Sequence, residues 1–440
     1  MIRWVVVLVA VFAPVEPSFA QNEGGARADL TLGFGAIWDR DPGLSGASGS
    51  GVHGIGSVQL GLSSKTRTQK AELLFDGDRF DQFGTRSDIR LSYARKTKAS
   101  QLSFDFLGQQ LPVGVPYVAS RSLGVFDGFD LAPSQFSSGV YGGTIGFKGG
   151  IGRPVGVDMS FGMKRRETYG TSASRSTRQR AKVGVNMRVS FRTEGRVFWE
   201  KEGLKTSGLT SISQYQSLVG AGLTHKLSAA VELDFDLGWN DLTTVNSGSN
   251  SQKNGLEWRA SATNTRRSRL MFARASSQRT HRGSLMRLQL GLERSSPRQS
   301  LDLTVGVARL AGRTPDPTIS INYTSDLKAG RIRAAASRDF AGSDETGETR
   351  MTTKLDLGLM REMSERDTLD VSLGYFKTDG TPATPARSQG RLRASYHHAL
   401  RRDWNLVVGA QRRVQRDVTT GRTGSNSVFL TFERKFSGGL

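Results

Sequence analysis

The amino-acid sequence predicts an all-β fold: a single transmembrane antiparallel up-and-down β-barrel of about 22 strands, within a range of about 20 to 24. Segments of about ten residues recur in which apolar and polar side chains alternate, as in barrel strands. Aromatic residues lie near the ends of these segments. Hydrophobic residues make up only 36% of the 440-residue chain, which contains 52 glycines and 12 prolines. Such a composition suits strands that need an apolar residue at every second position only.

The clearest alternation lies in residues 231–240, where one face is apolar and the other is acidic. The apolar face consists of Val231, Leu233, Phe235, Leu237 and Trp239, and the acidic face contains Glu232, Asp234 and Asp236. Residues 181–192 repeat the pattern, with Lys182, Arg188 and Arg192 on the polar face. Because successive side chains point to opposite faces of a strand, each segment has one wall for lipid and one for a polar lumen.

A soluble β-sandwich also alternates, so other features must separate the two folds. The strands here are longer than the five or six residues that are typical of soluble sheets. Their connections alternate between ten short turns, such as Thr193–Gly195, and longer polar links, which places the short turns in the periplasm. The aromatic residues at strand ends fit interfacial girdles; they are Trp38, Trp199, Trp239, Tyr375 and Trp404.

The first twenty residues predict a cleaved signal peptide, so that residues 21–440 form the barrel. Arg3 precedes the apolar run Trp4–Ala13, which is too short to span a bilayer as a helix. Ser18-Phe19-Ala20 has the small-residue pattern of a cleavage site. An uncleaved anchor helix is the alternative. Only Gln21–Ala28 precede the first strand, so no plug domain is expected.

The net charge of +21 predicts a polyanionic partner. For an exported barrel the candidates are an anionic solute in the lumen and the phosphates of lipopolysaccharide outside, and no nucleic-acid partner is expected. Outer-membrane lipid and the barrel-assembly machinery are further expected partners. The residues predicted to line the pore are Lys182, Arg188, Arg192, Asp234, Asp236, Arg287 and Lys354.

The longest connection, residues 108–139, is unusually apolar for an exposed loop. It predicts a segment that folds into the lumen and narrows it, with Phe126, Asp127, Phe129 and Asp130 at the constriction. Two alternatives remain open: a lid across the barrel mouth, or one extra hairpin that changes the strand count.

No catalytic, cofactor or metal site is expected. The sequence contains no cysteine, no Gly-x-Ser-x-Gly motif and no phosphate-binding loop. The acidic segment 76–81 could bind calcium through its carboxylates. Ordinary turn chemistry explains the same residues more simply, because Asp and Gly are favoured in turns.

Three segments resemble hairpins of barrel porins associated with bacterial exopolysaccharide systems: residues 291–303, 360–375 and 425–436. This resemblance implies an outer-membrane pore with an acidic polysaccharide as cargo, and it transfers no functional residue. The expected function is therefore a pore for anionic or polar solutes, with exopolysaccharide export as its specific form. The alternative is a structural barrel whose loops bind lipopolysaccharide or partner proteins.

Overall fold

Twenty-two antiparallel strands form one closed sheet in a computed structural model of the chain. The structure describes residues 25–40, 50–80, 84–111, 137–169, 174–208, 211–246, 249–280, 282–342, 349–380, 386–401, 403–417 and 421–439. The predicted signal peptide lies outside these residues. The ring closes because β1 pairs with β2 on one side and with β22 on the other. The predicted all-β antiparallel barrel of 22 strands is thereby confirmed.

The first eleven strands are β1 (Ala26–Arg40), β2 (Ser50–Lys65), β3 (Gln69–Phe80), β4 (Gly84–Lys96), β5 (Ser100–Leu111), β6 (Ser137–Gly149), β7 (Val155–Tyr169), β8 (Ser174–Arg188), β9 (Thr193–Ser207), β10 (Ile212–Lys226) and β11 (Val231–Asn246). The remaining strands are β12 (Ser249–Arg266), β13 (Arg269–Thr280), β14 (Gly283–Ser295), β15 (Gln299–Leu310), β16 (Asp316–Leu327), β17 (Gly330–Gly342), β18 (Thr349–Glu362), β19 (Asp367–Thr378), β20 (Arg387–Arg401), β21 (Trp404–Asp417) and β22 (Gly421–Gly439).

The part of the chain that the structure describes forms strands and their connections only, and none of it forms a plug. No helix among these residues is long and apolar enough to cross a membrane.

The outward face of the barrel is apolar over a central belt, as the alternation predicts. On β11 the outward side chains of Leu233, Phe235 and Leu237 are about 40% exposed or more. Asn240, which points inward from the same strand, is completely buried. The outward row of β7 is apolar from Val155 to Met163. Lipid covers such a belt in the membrane, so the exposed apolar side chains are not in water.

Aromatic residues mark both edges of this belt. Trp199 and Trp239 lie at one level, because each pairs with Val219 of β10. Trp404 lies near the opposite edge, where the Arg434 guanidinium is 5.5 Å from its ring centre and 4.7 Å from that of Phe436. A cation between two aromatic rings suits the boundary between hydrocarbon and lipid headgroups.

Two local expectations are wrong. The alternation placed 181–192 on one strand with a turn at Thr193–Gly195, whereas β8 ends at Arg188 and the turn is 189–192. The alternation runs on because the turn itself contains apolar residues. The acidic segment 76–81 was predicted to be an ordinary turn, but Asp76 and Asp78 lie on β3, where both are buried. Arg86 on β4 donates a 3.4 Å hydrogen bond to Asp78.

Candidate functional site: the lumen walls

The inward side chains of β9, β10 and β11 meet at one level because of their register. Arg196 on β9 is opposite Gly222 on β10, and Gly222 is opposite Asp236 on β11. Gly222 has no side chain, so Arg196 can reach across it. A Cβ at residue 222 would lie 2.1 Å from Asp236 Oδ1 and 2.6 Å from Arg196 Nε. Residue 222 must therefore be glycine, because the Arg196 and Asp236 side chains occupy the space that a Cβ would need.

Arg196 holds both of the predicted acidic residues. Its Nε donates to Asp236 Oδ1 at 2.7 Å, and its Nη2 donates to Asp234 Oδ1 at 2.6 Å. The Thr224 hydroxyl donates to Asp234 Oδ2 at 2.9 Å. Charge-assisted bonds of this geometry are stronger than neutral ones. The arrangement ties three neighbouring strands together, so these carboxylates are already engaged by the barrel itself.

Further ion pairs extend this network to β8. The Arg180 Nε donates to Glu200 Oε1 at 2.7 Å, and Arg178 Nε lies 3.2 Å from Glu202 Oε1. Residues of this kind line a cavity of about 970 Å³ on the inner side of β7–β14 and β17. We call its lining the mixed-charge wall. The wall contains eight carboxylates (Asp158, Glu200, Glu202, Glu232, Asp234, Asp236, Glu257 and Asp339) and six cations (Arg180, Lys182, Arg196, Arg259, Arg274 and Arg287), so its formal charge is −2.

The predicted pore-lining residues do not form a single group. Lys182, Asp234, Asp236 and Arg287 all line the mixed-charge wall. The Arg287 Nε lies 3.3 Å from Asp339 Oδ1. Lys354 lies elsewhere, on β18.

The two other predicted cations lie near the short-turn end of the barrel. Arg188 is the last residue of β8, and its Nε lies 3.8 Å from Glu194 Oε1. Arg192 lies in the β8–β9 turn, with its guanidinium 5.1 Å from the centre of the Phe191 ring. Neither residue lines the cavity.

A second group of cations lies on the inward faces of β18, β20 and β21. We call it the basic wall; it consists of Lys354, Arg387, Arg391, Arg393 and Arg413. The same strip contains Asp39 on β1 and Asp356 on β18, and Asp417 is opposite Arg387 in the register of β20 and β21. Arg391 is directly opposite Arg413 in the register of β20 and β21. Like charges directly opposite each other destabilise a sheet.

The basic wall borders the seam where the barrel closes. Asp39 on β1 is completely buried and accepts hydrogen bonds from Ser425 at 2.7 Å and Ser427 at 3.1 Å, both on β22. Arg413 Nη2 lies 3.8 Å from Asp39 Oδ2. Arg393, only 7% exposed, has its guanidinium 5.0 Å from the Phe429 ring centre.

Arg196 and Arg413 are functional-site residues that were not among the predicted pore-lining residues. Arg196 alternates with Val197 and Trp199 on β9, so the polar face of that strand carries the signal. Its two partners follow only from the β9–β10–β11 register. The predicted constriction residues Phe126, Asp127, Phe129 and Asp130 lie outside the described residues. Within the described part of the chain, no group of carboxylate and histidine side chains could hold a metal ion.

Outside the belt, the end of β7 with the longer connections carries a polar cluster on its outward face. Glu167 accepts hydrogen bonds from the Tyr169 hydroxyl at 2.7 Å, from Arg165 Nε at 2.9 Å and from Arg175 Nε at 2.9 Å. These bonds, that of Tyr169 first, lower the pKa of Glu167. The same bond to Glu167 raises the pKa of Tyr169 to about 12. This cluster therefore remains ionic at neutral pH.

The chain is similar in structure to several solved outer-membrane receptors. The ferric-catecholate import receptor Fiu of E. coli K12 has a TM-score of 0.58 at 11% identity, over 94% of this chain and 82% of that one. The siderophore receptor PiuA of Acinetobacter baumannii has a TM-score of 0.57 at 10% identity, over 95% and 82%. The FrpB iron transporter of Neisseria meningitidis has a TM-score of 0.56 at 8% identity, over 94% and 82%.

The protein is an outer-membrane β-barrel. Its 22 strands, its apolar belt and these neighbours place it in the outer membrane of a Gram-negative bacterium. No protein-family model matches the sequence, and no curated protein is similar to it.

The expected function is wrong. The structural neighbours named above are siderophore receptors and an iron transporter, and none of them is a porin or an exopolysaccharide channel. The resemblance to porin hairpins predicted the architecture correctly but the function wrongly. The hairpin segments that carry it are common to outer-membrane barrels in general. The excess positive charge of the chain does not extend to the whole lumen, since the mixed-charge wall is slightly acidic.

Proposed function

We propose that the protein is an outer-membrane uptake receptor whose lumen binds an anionic metal chelate. The cargo class comes from the neighbours, which include a ferric-catecholate import receptor and a siderophore receptor. At 8–11% identity this likeness speaks for the fold, so the support for a ligand must come from the walls of this barrel.

The observation that carries the proposal is the direct opposition of Arg391 and Arg413 on the basic wall. Opposed cations disfavour the folded sheet, and an anion bound between them would offset that repulsion. Guanidinium groups form bidentate, planar hydrogen bonds with the paired oxygens of carboxylates and similar ligands. Five cations and three carboxylates leave an excess of two positive charges in this strip, which suits a negatively charged chelate.

The mixed-charge wall fits this cargo less well. Its six cations face eight carboxylates, and Arg196 and Arg180 are held by carboxylates of the barrel. An anion bound there would have to displace those carboxylates. The two walls therefore differ in the sign of their formal charge, which gives the proposal an internal control.

The test is binding of a ferric tris-catecholate to the purified full-length barrel, measured by quenching of tryptophan fluorescence and by calorimetry. In the double variant Arg391→Gln/Arg413→Gln, the Kd should rise at least about tenfold, because two charge-assisted hydrogen bonds are lost. The matched variant Lys182→Gln/Arg274→Gln removes two cations from the mixed-charge wall and should change the Kd less than about twofold. Equal losses in both variants, or no binding by the parent protein, would overturn the proposal.

A further inference from the structure

About half of the excess positive charge lies at neither wall of the lumen but at the end of the barrel with the ten short turns. We define the periplasmic rim as these turns together with the strand residue on either side of each turn. Short turns belong to the periplasmic end of outer-membrane barrels. They are two to five residues long here, so their side chains remain next to the membrane surface.

The described residues of the rim contain fifteen cations and four carboxylates. The cations are Lys65, Arg67, Lys96, Lys98, Arg153, Arg188, Arg192, Lys226, Arg266, Arg267, Arg269, Arg298, Lys328, Arg366 and Arg401. The carboxylates are Glu362, Glu365, Asp367 and Asp403. The rim therefore carries a formal charge of +11, about half of the +21 of the whole chain.

The cations are spread around the whole ring. Each of the ten turns contributes at least one, and all fifteen side chains are exposed. Arg266, Arg267 and Arg269 lie together in the β12–β13 turn, which contains no carboxylate. An annulus of this kind matches a ligand that surrounds the barrel, and a small solute could engage only a part of it.

Exposed apolar side chains share the turns with these cations. Phe191 is 84% exposed, Val189 70%, Met363 63%, Leu227 52% and Ile151 38%. Val189 and Phe191 continue the outward apolar row of β8, which includes Val183, Val185 and Met187, without a polar interruption. The row therefore extends from the hydrocarbon belt into the turn, where the Arg192 guanidinium lies 5.1 Å from the centre of the Phe191 ring. Basic and apolar side chains combined in this way suit the headgroup region of a bilayer.

We propose that the periplasmic rim binds the anionic phospholipid headgroups of the inner leaflet of the outer membrane, such as phosphatidylglycerol. Each cation near an anionic membrane surface contributes about 1 kcal/mol, or roughly a fivefold change in binding. The apolar turn residues favour lipid over a soluble acidic protein, because they are continuous with the lipid-facing surface. This inference does not depend on the cargo of the lumen.

The test is the lipid retained by the full barrel after extraction from vesicles of equal parts phosphatidylglycerol and phosphatidylcholine, counted by native mass spectrometry. The parent protein should retain phosphatidylglycerol in preference to phosphatidylcholine. The rim variant Arg266→Gln/Arg267→Gln/Arg269→Gln should reduce this preference by at least about fivefold. Changing the same three residues to Lys should restore it, because the charge is kept.

A matched control removes three outward-facing cations at the opposite end of the barrel, Arg175, Lys201 and Lys205, by substitution with Gln. This variant faces the other leaflet and should keep the preference of the parent protein. Heat-modifiable mobility on gels confirms that each variant is folded before lipid is counted. No preference in the parent protein, or an equal loss in the rim and control variants, would overturn the proposal.

Discussion

The mixed-charge wall and the periplasmic rim are both rich in charge, but they use it differently. On the wall, Arg196 and Arg180 form hydrogen bonds with carboxylates of neighbouring strands, and the formal sum is −2. At the rim, the cations are exposed and outnumber carboxylates by eleven. The total charge of the chain therefore says little about its lumen. Paired charges connect strands, whereas surplus charge at a surface is available to a ligand.

The largest loss of stability should follow when a charge is placed on the lipid-facing side of β11, one of the strands of the mixed-charge wall. Phe235 lies at the centre of the outward row of β11, between Asp234 and Asp236. The substitution Phe235→Arg should destabilise the barrel by about 2–4 kcal/mol, because the cation enters hydrocarbon. Urea unfolding in lipid vesicles measures this change. A loss below about 1 kcal/mol would contradict the assigned faces.

A smaller but clear effect should follow when the wall network is opened from within. The substitution Gly222→Val places a side chain where Arg196 crosses to Asp236, and its Cβ alone would come within 2.1 Å of the carboxylate. We expect a loss of about 1–3 kcal/mol, since overpacking and broken ion pairs both contribute. Gly56, whose Cβ would meet nothing within 4 Å, is the control position. Equal stability of Gly222→Val and Gly56→Val would show that the network is not required.

Substitutions at the periplasmic rim should change the free energy of unfolding less than substitutions at the mixed-charge wall. The triple variant Arg266→Gln/Arg267→Gln/Arg269→Gln should change the free energy of unfolding in phosphatidylcholine vesicles by less than about 0.5 kcal/mol. Exposed charges without ion-pair partners contribute little to folding. The same measurement with phosphatidylglycerol present should show a larger difference. A large loss in neutral lipid would mean that these cations are structural.

Titration of Tyr169 tests a third kind of charge, the Glu167–Tyr169 pair, which lies outside both the mixed-charge wall and the periplasmic rim. Substitution of Glu167 by Gln removes the group that holds the pKa of Tyr169 near 12, so this pKa should fall toward its ordinary value of 10. Ultraviolet difference spectra follow the ionisation, with Tyr169→Phe identifying the residue. The pKa of Glu167 is lowered, so its contribution is present at neutral pH. That contribution is lost only as the pH falls through the lowered pKa. An unchanged Tyr169 titration in the Gln variant would refute the pairing.

The sequence predicted the architecture well because lipid imposes a simple rule on every strand. The period of two in residues 231–239 gives both faces of β11 directly, and the spacing of the breaks gives the strand count. The rule failed at residues 189–192 because a turn at the membrane surface also carries apolar side chains. There, Val189 and Phe191 imitate a strand although β8 has ended.

The site was less predictable because its geometry depends on register. Arg196, Gly222 and Asp236 are brought together only when three strands are aligned, and no single segment contains that information. Arg391 and Arg413 likewise are opposite each other by register alone. The net charge predicted that a basic surface of the protein binds a polyanionic partner, but composition alone could not locate that surface. The rim was missed because each turn contributes only one to three cations and the annulus exists only after the ring closes.

The seam between β1 and β22 has a consequence for how the barrel is made. Ser425 donates its hydrogen bond to Asp39 across 386 residues of sequence. A contact of such long range forms late, since the entropy of closing the chain must be overcome first. Until it forms, the first and last strands each expose an unpaired edge that could pair with another chain. Newly exported chains therefore pass through a stage prone to aggregation, and the seam ends that stage when the ring closes.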